Sequence, residues 1–169
     1  MSVGCVEKFD LNFAVHAVDN GRKVSILAGC NGLLLLSNGY YIMRVCNLVT
    51  RQCKSLPCPK GPFAPSCRWS FFYDDSIKRY KMSGIFGKHV IMLTLGNKKW
   101  KVITVPGPKY ANYWQLTPPV FSEKELHWLA CSDDRVEYIC SLDVGNKEFR
   151  KTASNFQSQK ILHFRIISD

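Results

Sequence analysis

The sequence predicts an all-β fold built from repeated four-stranded antiparallel units. The first observation is a pattern, found four times and each time after a turn, in which one large or apolar side chain stands between basic neighbours. Its copies are Arg51-Gln52-Cys53-Lys54, Lys78-Arg79-Tyr80-Lys81, Lys98-Lys99-Trp100-Lys101 and Lys147-Glu148-Phe149-Arg150. Because successive side chains of a strand point to opposite faces, the pattern is typical of a strand with one buried and one exposed face.

The second observation is the spacing of these copies. Cys53 and Trp100 are 47 residues apart, and Trp100 and Phe149 are 49 residues apart. A four-stranded propeller blade takes roughly 40 to 50 residues. The sequence therefore predicts a partial β-propeller of about three four-stranded antiparallel blades, forming a single domain over residues 1–169.

The first predicted blade starts with a hairpin. Two apolar runs are joined by residues 28–32, where Asn31-Gly32 tolerates the positive φ of a tight turn. A proline at the end of the fourth strand cannot donate to a ladder and so closes it. The strands of this blade are predicted at 24–27, at 33–36, at 40–45 and in a segment ending at Leu56-Pro57.

Two further blades follow a proline-rich connection at residues 58–67. Strands of the second blade are predicted at 69–73, 80–85, 89–95 and 100–105, with Pro106-Gly107-Pro108 after them. Strands of the third blade are predicted at 120–121, 126–129, 137–142 and 149–151. The last residues, 166–169, are interpreted as the start of another strand.

The net charge of +10 raises the question of nucleic-acid binding. Ten of the 23 lysines and arginines belong to the four repeated patterns, and alternation is expected to send them to the exposed side of separate hairpins. Charges spread in this way usually form a solvated surface that discourages edge pairing. This placement weakens the case for nucleic-acid binding, and a basic nucleic-acid-binding β protein is kept only as the alternative function.

The eight cysteines include no Cys-x-x-Cys pair, so neither a zinc ribbon nor a thioredoxin-type motif is indicated. We see no secretory signal and expect reduced thiols and a cytoplasmic or nuclear location. The longest apolar run, Leu33 to Leu36, is far shorter than the roughly 20 residues that cross a membrane, so no membrane partner is expected.

Catalytic candidates are weak. Asp74-Asp75 and Asp133-Asp134 could supply the two carboxylates of a propeller-type glycan hydrolase, but aspartates in turns usually hydrogen-bond the local backbone. His127 and Cys131 are four residues apart, which on a helix could share a metal, but the intervening Trp128-Leu129 alternates as a strand and does not favour one. We predict no enzyme, and no catalytic, metal or cofactor-binding residue.

Three aromatic residues, Tyr110, Tyr113 and Trp114, lie in a polar connection rather than in an alternating strand. Aromatic side chains displayed in this way are common anchors for a protein partner. They are the predicted substrate-binding residues, with packing between neighbouring blades as the alternative.

Several motifs together resemble the F-box-associated domain of plant F-box proteins, a kelch-like propeller. The resemblance covers residues 25–152 and keeps the family's order. It is carried by Gly29-Cys30-Asn31-Gly32-Leu33-Leu34, by Cys46 to Pro57, by Phe72 to Lys81, by Leu95 to Trp100, by Leu126-His127-Trp128-Leu129 and by Ser141 to Phe149. Leu48 stands where the family usually has proline.

This resemblance implies the substrate-recognition part of an SCF-type ubiquitin ligase, which binds a protein target and has no chemistry of its own. Family members begin with an F-box that docks on the ligase adaptor, and no helical pattern of that kind precedes residue 25. We therefore expect a truncated member that meets the adaptor only if an F-box is supplied elsewhere. The sequence does not identify the target.

Overall fold

A computed structural model of the protein describes residues 24–38, 42–60, 67–105, 114–115, 117–131, 136–153 and 161–165. Within these ranges, all of the regular secondary structure is β-strand. The chain divides into two compact units, Met1–Cys58 and Pro59–Asp169. The sequence did not indicate this division, and the single domain expected over residues 1–169 stays a prediction.

The first unit contains one antiparallel sheet with strand order β1-β2-β3-β4. Its strands are β1 (Ser25–Cys30), β2 (Leu33–Ser37), β3 (Met43–Asn47) and β4 (Cys53–Leu56). The turn expected at residues 28–32 is shorter than predicted, since β1 continues to Cys30. Asn31 and Gly32 have φ values of 49° and 74°, so two residues suffice to reverse the chain.

The second unit contains two antiparallel sheets. One has the order β5-β6-β7-β8, formed by β5 (Arg68–Asp74), β6 (Arg79–Phe86), β7 (His89–Thr94) and β8 (Lys101–Thr104). The other has the order β10-β11-β12-β13-β14, and β9 also pairs with β11. Its strands are β9 (Trp114–Gln115), β10 (Val120–Ser122), β11 (Glu125–Cys131), β12 (Glu137–Asp143), β13 (Glu148–Ala153) and β14 (Ile161–Arg165).

The prediction of an all-β chain with three four-stranded antiparallel units is confirmed. Strands β10 to β13 form the predicted third unit, and β9 and β14 are additions that the sequence did not indicate. Strand β14 extends the third sheet beyond β13. The strand expected at residues 166–169 lies outside the described residues.

The core of the second unit lies between its two sheets. Along β11, Leu126, Trp128 and Ala130 are buried and alternate with half-buried residues, as expected for a strand with one core-facing side. Phe72 of β5 stacks on Phe121 of β10 with ring centroids 4.1 Å apart. A stacked aromatic pair of this kind stabilises the packing of the two sheets by more than its buried area alone would contribute.

The central residues of the four repeated patterns are more protected than most of their neighbours. Phe149 is buried with 1% exposure, and Cys53, Tyr80 and Trp100 are half-buried. Trp100 immediately precedes β8 rather than lying within it, and its ring contacts that of Trp69 edge-on at 5.7 Å. The repeated pattern therefore marks inward-facing residues of the sheets, as predicted.

Gly84 of β6 lies opposite Trp69 of β5, and the indole ring covers it. A Cβ atom at Gly84 would come within 2.8 Å of Trp69 Cζ3. Since Trp69 is itself buried and held against Trp100, the ring has little room to move. We expect Gly84→Ala to lower the free energy of unfolding by about 1–3 kcal/mol, measured by urea denaturation.

Replacing Trp69 with a smaller residue provides the control for this prediction. In a Trp69→Leu background the atoms that meet the new methyl group are gone, so Gly84→Ala should cost clearly less than it does in the native background. An equal cost in both backgrounds would show that the loss comes from the strand backbone and not from the contact with Trp69.

A disulfide joins Cys46 of β3 to Cys53 of β4. The two residues are directly opposite each other in the antiparallel register, so their side chains leave the sheet on the same face. Their bridge packs with Leu36 in the small core of the first unit. We had expected reduced thiols. That expectation rested on composition, which does not show that β3 and β4 pair so as to bring these two cysteines together.

No helix long and apolar enough to cross a membrane occurs in the described part of the chain.

Candidate functional site

A cavity of about 540 Å³ opens in the second unit, beside strands β6, β7 and β8 and the turn between β12 and β13. Four lysines line it, Lys81, Lys99, Lys101 and Lys147, together with the apolar side chains of Met92, Ile103 and Val144. We call it the lysine cavity. Met92 and Ile103 are each 7% exposed and form its buried floor, whereas Lys99 and Lys101 are exposed.

Local turns place the lysines around this floor. Lys99 lies in the connection between β7 and β8, and Lys101 is the first residue of β8. Lys147 ends the turn between β12 and β13 with a φ of 58°. Asp143 stabilises that turn, because its carboxylate accepts hydrogen bonds from the backbone N–H groups of Gly145 and Asn146 at 2.7 and 2.8 Å.

The lining of the lysine cavity carries excess positive charge. Lys81 is neutralised by Asp74, whose Oδ2 lies 2.7 Å from Lys81 Nζ. Within the described ranges, no salt bridge involves Lys99, Lys101 or Lys147, and no acidic side chain lines the cavity. Three lysines with no described ion pair thus line the cavity together with apolar residues, a composition that suits an anionic ligand with an apolar part.

This geometry adds to one expectation from the sequence. The basic residues of the repeated patterns were expected to face water on separate hairpins, and Lys101 is exposed. In addition, Lys101 and Lys147 from two different copies line the same cavity. The sequence placed both residues in the repeated pattern, but Lys101 is last in its copy and Lys147 is first, so the pattern did not indicate that they would meet.

The predicted substrate-binding aromatics are only partly covered by the described residues. Tyr110 and Tyr113 lie outside them. The backbone of Trp114 belongs to β9 and pairs with Cys131 of β11, so Trp114 is part of a short strand rather than of a connection. The role proposed for these three residues stays a prediction.

The carboxylate proposed as half of a hydrolase pair has a structural role. Asp74 accepts hydrogen bonds from the backbone N–H and the hydroxyl of Ser76 and from Lys81. Burial would raise the pKa of Asp74, but the hydrogen bonds and the charge of Lys81 outweigh burial and lower it. The carboxylate is therefore committed to its turn and its ion pair, and Asp133-Asp134 lies outside the described residues.

Two free thiols in the described ranges are buried, and one histidine contacts a neighbouring strand. Burial raises the pKa of the Cys67 and Cys140 thiols to about 12, so neither is an effective nucleophile at neutral pH. His127 Nδ1 lies 2.9 Å from the hydroxyl of Ser141 on the neighbouring strand. Because His127 and Cys131 are four residues apart in β11, their Cα atoms are separated by roughly 13 Å, too far for a shared metal.

Comparisons with known proteins give a family match over nearly the whole chain. The model of the F-box associated beta propeller domain matches residues 5–168. Among solved structures, the chain is similar to the crystal structure of the computationally designed Ika4 protein, with a TM-score of 0.43 and 9% sequence identity over 88% of this chain and 94% of that one. A search of curated proteins finds no match.

Proposed function

The chain belongs to the F-box associated beta propeller domain family, and from that membership we propose that it is the target-binding part of an SCF-type ubiquitin-ligase receptor. The observation that carries this proposal is the family match over residues 5–168. Such a module performs no chemistry itself. It holds a protein near the ubiquitin-charged enzyme and so raises the effective concentration of the target's lysines.

The site geometry supports binding over catalysis. The lysine cavity is concave and combines an apolar floor with a few charged groups, which is the usual composition of a recognition site. Asp74, the described candidate for acid–base catalysis, is engaged by Ser76 and Lys81. We propose a protein target, an adaptor contact made through an F-box, and a cytoplasmic or nuclear location.

Reconstitution of a ligase tests this function. An adaptor-binding F-box segment is fused to the N-terminus of the full chain and combined with adaptor, cullin, RING subunit and charged ubiquitin-conjugating enzyme in a cell extract. We expect a defined set of proteins to be ubiquitinated by the fusion and not by the F-box segment alone, as measured by quantitative mass spectrometry of ubiquitin remnants. Identical profiles for the two would contradict the proposal.

A further inference from the structure

We propose that the lysine cavity binds an acidic segment of the target protein, with anionic side chains on Lys99, Lys101 and Lys147 and an apolar side chain on the floor. This inference rests on the proposed function, because the partner is the protein that the receptor would hold. It assigns the recognition to a particular surface and to a particular chemistry.

Charge complementarity selects the acidic partner. One cavity of a single compact unit is lined by Lys99 in the β7–β8 connection, Lys101 at the start of β8 and Lys147 in the β12–β13 turn. No acidic side chain is found among its described lining residues. The positive charge of Lys81 is already balanced by Asp74 at 2.7 Å. A ligand that brings carboxylates or phosphates would supply the opposite charge that the remaining three lysines lack.

Apolar residues at the cavity indicate that charge is not the whole of the recognition. Ile77 and Val102 are 47% and 55% exposed and line the cavity together with buried Met92 and Ile103. Exposed side chains of this size gain free energy when a partner covers them. The volume of about 540 Å³ lies within the range of ligand sites, and it suits a few side chains of a peptide segment.

The same residues favour a protein over a nucleic acid. Single-stranded nucleic acids are usually bound by aromatic side chains on which successive bases stack. Among the described residues that line the lysine cavity, none is aromatic, and the apolar ones are aliphatic or methionine. A cavity with an apolar floor that lacks aromatic rings is suited to a side chain such as leucine in an acidic sequence.

Fluorescence anisotropy with short labelled peptides tests the inference on the full chain. The probes are a Glu/Asp-rich peptide with a central leucine, a version with phosphoserines in place of the acidic residues, a neutral Gln/Asn version, and an acidic version with serine in place of leucine. We expect the two anionic leucine peptides to bind, with affinity that falls as salt rises, and comparison of the two identifies the preferred anion. Equal binding of the neutral peptide would overturn the inference.

Substitutions locate the binding at the lysine cavity. The triple variant Lys99→Gln, Lys101→Gln, Lys147→Gln should weaken binding of the acidic peptide about tenfold or more, given the modest contribution of each exposed charge pair. The matched control replaces Lys54, Lys88 and Lys98, which are exposed and do not line the cavity, with Gln. Equal losses in both variants would show a non-specific effect of net charge and would contradict the proposal.

Two further outcomes separate this inference from the proposed function. If the reconstituted ligase modifies the same proteins with the cavity variant as with the native chain, the receptor function stands and the cavity is not its target site. If the native chain binds the acidic peptide but directs no ubiquitination, the cavity inference stands and the receptor function fails. A single-stranded oligonucleotide that displaces the peptide and loses affinity in the cavity variant would overturn the assignment to a protein partner.

Discussion

Phe149→Ala is expected to lower the free energy of unfolding by about 3–5 kcal/mol, the range for removing a buried aromatic side chain. Phe149 is 1% exposed and belongs to the core between the two sheets of the second unit. It pairs with Leu142 across the β12–β13 ladder, and its ring centroid lies 6.0 Å from that of Trp128. Truncation would leave a cavity that these neighbours, held in separate strands, cannot close.

Urea denaturation followed by circular dichroism and tryptophan fluorescence measures this loss. Ile139→Ala on the adjacent strand β12 is the control, because Ile139 is 46% exposed and its truncation should cost less than about 1 kcal/mol. Phe149→Leu should lie between the two, since it keeps part of the buried area. Similar losses for Phe149→Ala and Ile139→Ala would contradict the position that the structure gives to Phe149 in the core.

Asp74→Ala is expected to lower the free energy of unfolding by about 3 kcal/mol. The substitution removes the hydrogen-bond acceptor for Ser76 and leaves Lys81 without its ion-pair partner. The side chains of Asp74 and Lys81 are only 7% and 14% exposed, so water cannot fully replace the lost contact. Removing one member of a buried pair costs more than the pair contributes, because the remaining charge keeps its desolvation penalty. Thermal and urea denaturation both measure the loss.

The neighbouring aspartate supplies a matched control. Asp75 and Lys78 form an ion pair at 3.6 Å, but their side chains are 84% and 74% exposed, so Asp75→Ala should change stability by less than about 0.5 kcal/mol. A comparable loss for Asp75→Ala and Asp74→Ala would show that the turn tolerates neither residue, whatever its burial. The prediction would then be wrong about the ion pair.

The pH dependence of stability gives an independent reading of Asp74. Its pKa in the folded chain is lowered, with the effect of burial outweighed by the contacts with Lys81 and Ser76. A group with a depressed folded pKa contributes its full stabilisation above its unfolded pKa, near 3.9, and loses it as pH falls through the folded value. Native protein should therefore lose more stability than Asp74→Ala between neutral pH and about pH 3.

Much of this fold could be predicted from the sequence because strands and turns have local signals. Alternation around Phe149 and the turn residues Asn31-Gly32 act over a few positions, and both appear in the structure where they were expected. The four strands of each predicted unit follow from such patterns. Strand β9 was not predicted because a two-residue strand is too short to show alternation. Strand β14 was not predicted because the position of a further strand depends on which edge of the sheet is open.

The candidate site was harder to predict, because it depends on contacts between sheets. Lys101 and Lys147 were recognised as members of one repeated pattern, but the sequence does not state which faces of neighbouring sheets meet. Met92 and Ile103 looked like ordinary strand residues, and their role as a cavity floor appears only once β7 and β8 are placed beside the β12–β13 turn. Convergence of distant segments is a tertiary property, and local patterns cannot report it.

The disulfide between Cys46 and Cys53 restricts how β3 and β4 can pair when the first unit folds. A slip of β4 by one residue would turn its inward side chains outward and would separate the two sulfur atoms. A chain in which these cysteines are joined is thus confined to one alignment of β3 and β4 even when the rest of the sheet is open. While this disulfide is intact, Cys46 and Cys53 stay opposite each other even when the sheet unfolds, so each refolding starts from the native alignment of β3 and β4.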